Sequence, residues 1–244
     1  MATLFISDLH LEPGRPATTA LFLEFLRQRA RWAEALYILG DLFEAWIGDD
    51  DDAELGGIVA TALHALTGHG VPVYFLHGNR DFLLGERFAA ASGMRLLPES
   101  VVIELAGERV LLLHGDTLCT DDIEYQAFRA QVRDPAWRTQ ILALPLAQRR
   151  ALAGQLRETS RQATGQKAAD IMDVNPGEVE RVLRLHGVQR LIHGHTHRPA
   201  LHDGMLEDQP VRRAVLGDWY NHGRVLSCDA AGWRLEPPLS APGG

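Results

Sequence analysis

Five short polar motifs, each placed where an apolar run ends, constrain this chain more than any other feature. They are Asp8-Leu9-His10, Gly40-Asp41, Gly78-Asn79-Arg80-Asp81, His114-Gly115-Asp116 and Gly194-His195-Thr196-His197. The preceding runs, Thr3–Ser7, Ala35–Leu39, Pro72–His77, Arg109–Leu113 and Arg190–His193, read as strands. Helical periodicity is predicted over Ala17–Arg31, Ala53–Thr67, Leu84–Ala91 and Val179–His186. Val101–Leu105 reads as a hairpin partner of Arg109–Leu113 around Gly107, and Val211–Leu216, Val225–Cys228 and Trp233–Leu235 as later strands. Strands alternating with helices, then strands in hairpins, predict an α/β layered sandwich with a mixed sheet. In such sheets the loops after strand C-termini build the ligand sites.

The residue types in these loops suit a divalent ion. Carboxylate, amide oxygen and imidazole together fit manganese, iron or zinc, and no thiolate asks for a softer metal. Asp8 and His10, like His195 and His197, are two apart, so extended backbone would aim each pair at one cluster. A carboxylate such as Asp41 has two oxygens and can bridge two ions about 3.5–4 Å apart. Each motif alone is a weak signal. Five in this order, all at strand ends, are not expected by accident. The remaining histidines, His64, His69, His77, His186, His193, His202 and His222, are read as surface or packing residues. The acidic run Asp49–Asp52 is read as a solvated loop entering a helix N-terminus, where negative charge is favourable.

Bulk properties exclude several classes. A chain of 244 residues, 46% hydrophobic and 23% charged, suits one globular domain and buries a large core without disulfides. Cys119 and Cys228 are read as the reduced thiols of a cytoplasmic protein. The first fifteen residues lack the basic start and unbroken apolar core of a signal peptide. No window approaches the roughly 20 apolar residues that span a bilayer. A net charge of -8 argues against nucleic acid as a partner. The charge is uneven, however. Residues 120–170 carry eight basic against six acidic side chains, and the single lysine of the chain, Lys167, lies among them.

The order DxH, GD, GNxD, H and GHxH resembles the calcineurin-like metallophosphoesterases. That resemblance implies a four-layer sandwich of two sheets flanked by helices. It also implies one ion held by Asp8, His10, Asp41 and His197, and a second held by Asp41, Asn79, His114 and His195. The general family has histidine after the asparagine, where this chain has Arg80. A guanidinium cannot donate a proton near neutral pH but can clamp phosphate oxygens bidentately. With GNRD, the segments SDLHL, GDLFEAWIGDD, HGDTLCTDD, HGHTHRP and LGDWY resemble the UDP-2,3-diacylglucosamine diphosphatases of lipid A synthesis, from residue 4 to about 220. That closer resemblance implies two Mn2+ per chain and water attack on the α-phosphate, giving UMP and 2,3-diacylglucosamine 1-phosphate. It implies substrate contacts from Asn79, Arg80, Asp122, Ser160, Lys167 and His195. Thr164 stands where the family often has asparagine, so it keeps a hydroxyl and loses the amide. Asp41, Asn79, Arg80 and His195 form the implied catalytic set.

Asp121 to about Met172 reads as helical and interrupts the strand–helix order. It is predicted to be a cap inserted at about 120–172 into a single domain covering 1–244. It carries Tyr125, Phe128, Val132, Trp137, Ile141, Leu142, Leu144, Leu146, Leu152, Leu156, Ile171 and Met172. Part of this surface, facing Trp46 and Phe82, is expected to form a chamber for acyl chains. Arg129, Arg133, Arg138, Arg149, Arg150, Arg157 and Arg161 are expected to face anionic lipid on the cytoplasmic side of the inner membrane. A peripheral monomer is the expected state. The rival readings are a two-metal phosphodiesterase on a soluble nucleotide, disfavoured by the apolar cap, and a metal-free scaffold, disfavoured by the full ligand set. A nuclease is disfavoured by the net charge.

Overall fold

The computed structural model describes residues 1–166, 173–220 and 223–239. In chain order the strands are β1 (Thr3–Ile6), β2 (Ala35–Leu39), β3 (Val73–Leu76), β4 (Arg95–Leu96), β5 (Ser100–Leu105), β6 (Glu108–Leu113), β7 (Arg190–His193), β8 (Ala200–Leu206), β9 (Gln209–Val215), β10 (Val225–Asp229) and β11 (Gly232–Glu236). The helices are α1 (Pro16–Gln28), α2 (Glu54–Gly68), α3 (Glu86–Ser92), α4 (Ile123–Arg133), α5 (Pro135–Leu142), α6 (Leu146–Gln166) and α7 (Pro176–His186).

There are two mixed sheets, as the family resemblance implies; the order of strands and helices alone suggested one. The first runs β11-β10-β1-β2-β3-β4 and the second β5-β6-β7-β9-β8. Strands β1, β2 and β3 are apolar without a break because both their faces are covered. Leu4, Ile6, Leu36, Ile38, Val73 and Phe75 point into a core with Phe22, Phe25, Val59, Leu63 and Phe88 of α1–α3. Their neighbours Phe5, Leu39 and Leu76 point the other way, against Val110, Leu112 and Ile192 of the second sheet. Leu111, Leu113 and Leu191 then pack on Val182 and Leu183 of α7. The layers are thus helix, sheet, sheet, helix. Cys119 and Cys228 are buried and form no disulfide. Among the described residues no helix is long and apolar enough to cross a membrane.

Parallel pairing fixes where the loops emerge. Ile6 lies opposite Ile38 and Leu39 opposite Leu76, so β1, β2 and β3 end together. In the second sheet β6 and β7 are also parallel, with Leu112 opposite Ile192. All five motif loops therefore leave from one edge.

Two strands escape the sequence patterns. The β4 strand is two residues long, too short to show alternation. The β8 strand has Gly204 and an almost wholly exposed side-chain pattern. Its turn to β9 uses Glu207 and Asp208 at φ 50° and 62°, not the Asn-Gly type that marks hairpins in sequence. The insertion is three helices, not one. Asp134 accepts hydrogen bonds from Ala136 N (2.8 Å) and Trp137 N (3.0 Å), and Pro135 opens α5, so this pair separates α4 from α5.

Three of the insertion's arginines, Arg129, Arg133 and Arg149, turn inward rather than toward a lipid surface, whereas Arg150 and Arg157 stay exposed. Arg129 pairs with Asp116 (2.7 Å) and Glu99 (3.0 Å), and Arg133 with Glu99 (3.2 Å). Arg133 also donates to Gly78 O at 2.8 Å. Arg149 is 3% exposed, pairs with Asp50 and donates to Ile47 O at 2.7 Å. Arg150 pairs with Asp51 and Asp52. The acidic run is accordingly not simply solvated. Asp49 caps α3, accepting from Gly85 N (2.9 Å) and Phe88 N (3.0 Å), and Asp50–Asp52 hold the cap arginines.

Removing Arg149 would strand Ile47 O and Leu144 O, its other acceptor at 2.9 Å. Asp50 is half exposed and can rehydrate. Arg149→Ala is therefore expected to destabilise the protein by about 2–4 kcal/mol. Chemical denaturation of the variant checks this, and a loss under about 0.5 kcal/mol would be that of an ordinary surface site.

Candidate metal centre

The ligand-type residues stand on unusual backbone. Asp8, His10, Asp41, His195 and His197 have φ between 48° and 70°, and they make up five of the eight non-glycine residues with positive φ among those described. The other three, Ala106, Glu207 and Asp208, are hairpin turns. Left-handed backbone costs roughly 1–2 kcal/mol for a residue with a Cβ, and such residues gather at functional sites. The pairs Asp8/His10 and His195/His197 do converge, but not through extended alternation as the spacing suggested. Each chain leaves its strand and coils back on itself.

Hydrogen bonds between loops hold that shape. Asp8 N donates to Gly40 O (3.1 Å), His10 N to Asp41 O (2.9 Å) and Gly194 N to His114 O (2.7 Å). Asp8 accepts from His195 N at 3.0 Å, joining the two sheets. The approach is close enough to require glycine. A Cβ on Gly78 would stand 2.0 Å from Asp41 Oδ1, and one on Gly194 2.4 Å from Asp8 Oδ2.

The side chains form two groups that share Asp8. In one, Asp8, His10 and His197 offer donor atoms within 4.8 Å of one another; in the other, Asp8, Asp41 and His114 do. His10 Nε2 and His197 Nε2 face each other at 3.2 Å. Asn79 Oδ1 lies 3.0 Å from both His114 Nε2 and His195 Nδ1. Asp41 Oδ2 stands 3.7 Å from His10 Nε2 and 3.7 Å from His114 Nε2, midway between the groups. Its other oxygen accepts from Arg80 N at 2.8 Å. His114 Nδ1 donates to Leu39 O at 2.8 Å, which leaves Nε2 as a lone pair turned inward. Buried carboxylates, an amide oxygen and inward lone pairs at these spacings fit a divalent cation.

Electrostatics agree with that fit. Burial favours the neutral form of Asp8, but the hydrogen bond from His197 and the charges of His197, His114 and His10 hold its carboxyl well below the usual range. Burial, then His114, pushes His195 down to about 4, so its imidazole is neutral and able to ligate. Burial disfavours the His114 cation, but Asp41, Asp8 and Asp116 raise its pKa, so without a metal the acidic surroundings draw a proton onto the nitrogen that a divalent cation would take over.

Of the expected substrate contacts, Arg80, Asn79, Asp122 and Ser160 line one cavity of about 330 Å³. Arg80 Nη2 lies 3.4 Å from Ser160 Oγ. The cavity continues away from the metal loops between Trp46, Phe82 and Leu83 below and Phe128, Trp137, Ile141 and Leu152 above. His195 contacts Tyr125, stacked at 5.8 Å between ring centroids. Lys167, Ile171 and Met172, and the side chains of Thr164 and Arg161, lie outside the described residues.

Two side chains inside the motifs were given no role from the sequence. Asp81 accepts from Leu42 N (2.7 Å), Gly78 N (2.9 Å) and Asp41 N (3.3 Å), so it ties the second and third loops together. Burial and the adjacent Asp41 push it up to about 7. Asp116 accepts from Tyr125 Oη (3.1 Å) and Arg129 Nε (2.7 Å), linking the cap to the β6 loop. Asp81 and Asp116 sat inside quoted motifs, and their cross-loop geometry is what gives them roles. His77 and His193 are packing residues: His77 Nε2 meets Leu84 O at 2.7 Å, and His193 Nε2 meets Arg213 at 3.0 Å.

Residues 1–199 match the calcineurin-like phosphoesterase family, and the chain belongs to it. Membership and the two carboxylate–imidazole groups together imply a divalent-metal phosphoesterase. Among curated relatives, a UDP-2,3-diacylglucosamine hydrolase of Stenotrophomonas maltophilia is 57% identical over 97% of this chain and 98% of its own length. A protein of the same name from Xanthomonas oryzae is 55% identical, with the same coverage. One from Escherichia coli is 57% identical over 94% of this chain and 96% of its own.

Burial pushes His77 down to about 4 and His193, with Arg213 beside it, down to about 3. Imidazoles kept neutral in the fold stabilise it above their ordinary value of 6.5, and that stability is lost as pH falls below it. The raised Asp81 works in the opposite direction. With two structural imidazoles and His195 against one carboxyl, the chelated protein is expected to lose Tm steadily from pH 6.5 to about 4.5. His77→Gln should flatten the slope; an unchanged Tm across that window in the parent protein would contradict the assignment.

Proposed function

We propose that this protein hydrolyses UDP-2,3-diacylglucosamine to UMP and 2,3-diacylglucosamine 1-phosphate, using two Mn2+ ions. One ion is assigned to Asp8, His10, Asp41 and His197, the other to Asp41, Asn79, His114 and His195. The observation that carries this reading is the single cavity joining Asn79 and Arg80 to the apolar wall of Phe82, Trp137, Ile141 and Leu152. A nucleoside diphosphate attached to acyl chains fits such a cavity, with its charged end at the metal loops and its tail beneath the cap. The names of the relatives support the same substrate.

Bound divalent ions would lower the pKa of water and offset the negative charge of the phosphate. Arg80, joined to the metal loop through its own N–H on Asp41, presents a guanidinium to the phosphate oxygens and holds them bidentately. Asn79 and His195 crowd the same point and stabilise the equatorial oxygens. Water attacks the α-phosphorus, the bond to the bridging oxygen breaks, and that oxygen leaves with the sugar 1-phosphate. The leaving group is already a phosphate and departs without a strong acid, which suits Arg80 in place of histidine. Asp122 and Ser160 are assigned to the substrate's polar half, with Thr164 and Lys167 completing it. The three helices at about 120–172 act as the substrate-binding cap of a single domain covering 1–244.

The protein is assigned to the cytoplasmic face of the inner membrane as a peripheral monomer. With Arg129, Arg133 and Arg149 paired inward and Arg150 and Arg157 paired with carboxylates at the surface, membrane contact falls to exposed apolar residues of the cap, Ile123 and Leu142. Binding to anionic vesicles is therefore expected to survive high salt and to weaken in Ile123→Asp. Complete release by salt alone would return the role to the arginines.

UMP release from UDP-2,3-diacylglucosamine, followed with Mn2+ and after chelation, tests the activity. Chelation should abolish turnover and Mn2+ restore it. Arg80→Ala should lower kcat/KM by on the order of 100-fold or more. Equal turnover on UDP-glucose would favour a soluble nucleotide substrate instead.

A further inference from the structure

Glu44 lies outside the implied ligand set, yet it faces a metal-type imidazole from behind. Its Oε2 stands 3.0 Å from His10 Nδ1, with side-chain exposures of 17% for Glu44 and 3% for His10; the pair is a close charge contact that swings into line as a hydrogen bond by a small rotation of Glu44, and Nδ1 has no other partner among the described residues. The placement follows from the loops. Leu11 N donates to Leu42 O (2.9 Å) and Glu44 N to Leu11 O (3.1 Å), so residues 41–44 run beside 8–11 and bring Glu44 under His10. Tyr220 stacks on the His10 ring at 5.2 Å and 24°, and its hydroxyl donates to Glu44 Oε2 at 3.5 Å. The Arg15 guanidinium covers the other face of this layer, 4.0 Å from the Tyr220 ring centre.

The imidazoles of the two groups are backed differently. His10 has the carboxylate of Glu44 behind Nδ1, and His197 has that of Asp218 at 3.8 Å. His114 has only the main-chain carbonyl of Leu39. A carboxylate behind a ligand imidazole fixes its tautomer and makes the inward nitrogen a stronger donor, which a neutral carbonyl does less well. In the ligand sets assigned above the donors differ in the same sense, with Asp8 set beside His10 and His197 and the neutral Asn79 beside His114 and His195, although Asp8 also comes within reach of His114.

We infer that Glu44 is a positioning residue for His10, and that it makes the Asp8–His10–His197 site the tighter of two unequal metal sites. The inference rests on the two-ion reading above. Its test is calorimetric titration of the chelated, full-length protein with Mn2+, backed by metal analysis after dialysis. Wild type should show a tight and a weaker class of site. Glu44→Gln should weaken the tight class by about 10- to 100-fold and leave the weaker class and the metal-free Tm unchanged. Tyr220→Phe, which keeps the ring but frees Glu44, should weaken the same class by a smaller factor and serves if Glu44→Gln does not fold. Unchanged Mn2+ binding in both variants would overturn the role of Glu44. Equal weakening of both classes, with a lower metal-free Tm, would make Glu44 a merely structural residue and also overturn it. Failure of wild type to bind Mn2+ would instead overturn the two-ion reading itself.

Discussion

The structure is organised around Asp41, whose carboxylate stands equally far from His10 and His114. That position exists only because two sheets end at one edge and the loops leaving them close on each other. Asp41 is carried on left-handed backbone after β2 and is pressed against Gly78 without room for a methyl group. Asp81 accepts from Asp41, Leu42 and Gly78, and Asp8 accepts from His195 across the sheets. Each of these costs something locally, as strained backbone or a buried carboxylate. Burial of both faces of the sheets supplies the surplus stability that holds such arrangements.

The cap belongs to the same construction. Arg133 reaches the carbonyl of Gly78, the residue packed on Asp41, and Arg129 reaches Asp116, next to the His114 loop. Two of the charges that made the insertion look like a lipid-facing surface, Arg129 and Arg133, are therefore joints between the cap and the motif loops. What remains between cap and body is an apolar space ending at Arg80 and Asn79. On the proposed reading, phosphate chemistry and an acyl-chain chamber would share these two residues, which would link the reaction to a lipid-bearing substrate.

Much of this was legible in the sequence. The strands carrying the ligands were visible because doubly buried strands are continuous apolar runs, and β2 and β7 appear at the predicted ends. Asp8, His10, Asp41, Asn79, His114, His195 and His197 all come to one edge. Other features depend on partners distant in sequence. Glu44 matters because the 41–44 loop runs beside 8–11, and Arg149 because Asp50 lies across the cap seam. Composition marked the arginines as exposed charge, since burial of a guanidinium is visible only once its carboxylate is located. The two-residue β4 and the exposed β8 lack the periodicity on which sequence reading rests.

The central claim is that Asp41 serves both metal positions at once. Metal analysis of purified Asp41→Ala, beside wild type after equilibration with Mn2+, tests it most directly. Two ions per chain in wild type, and weakened occupancy of both positions in the variant, are the predicted result. Retention of one ion at wild-type affinity in Asp41→Ala would show that Asp41 belongs to a single position and would contradict the account.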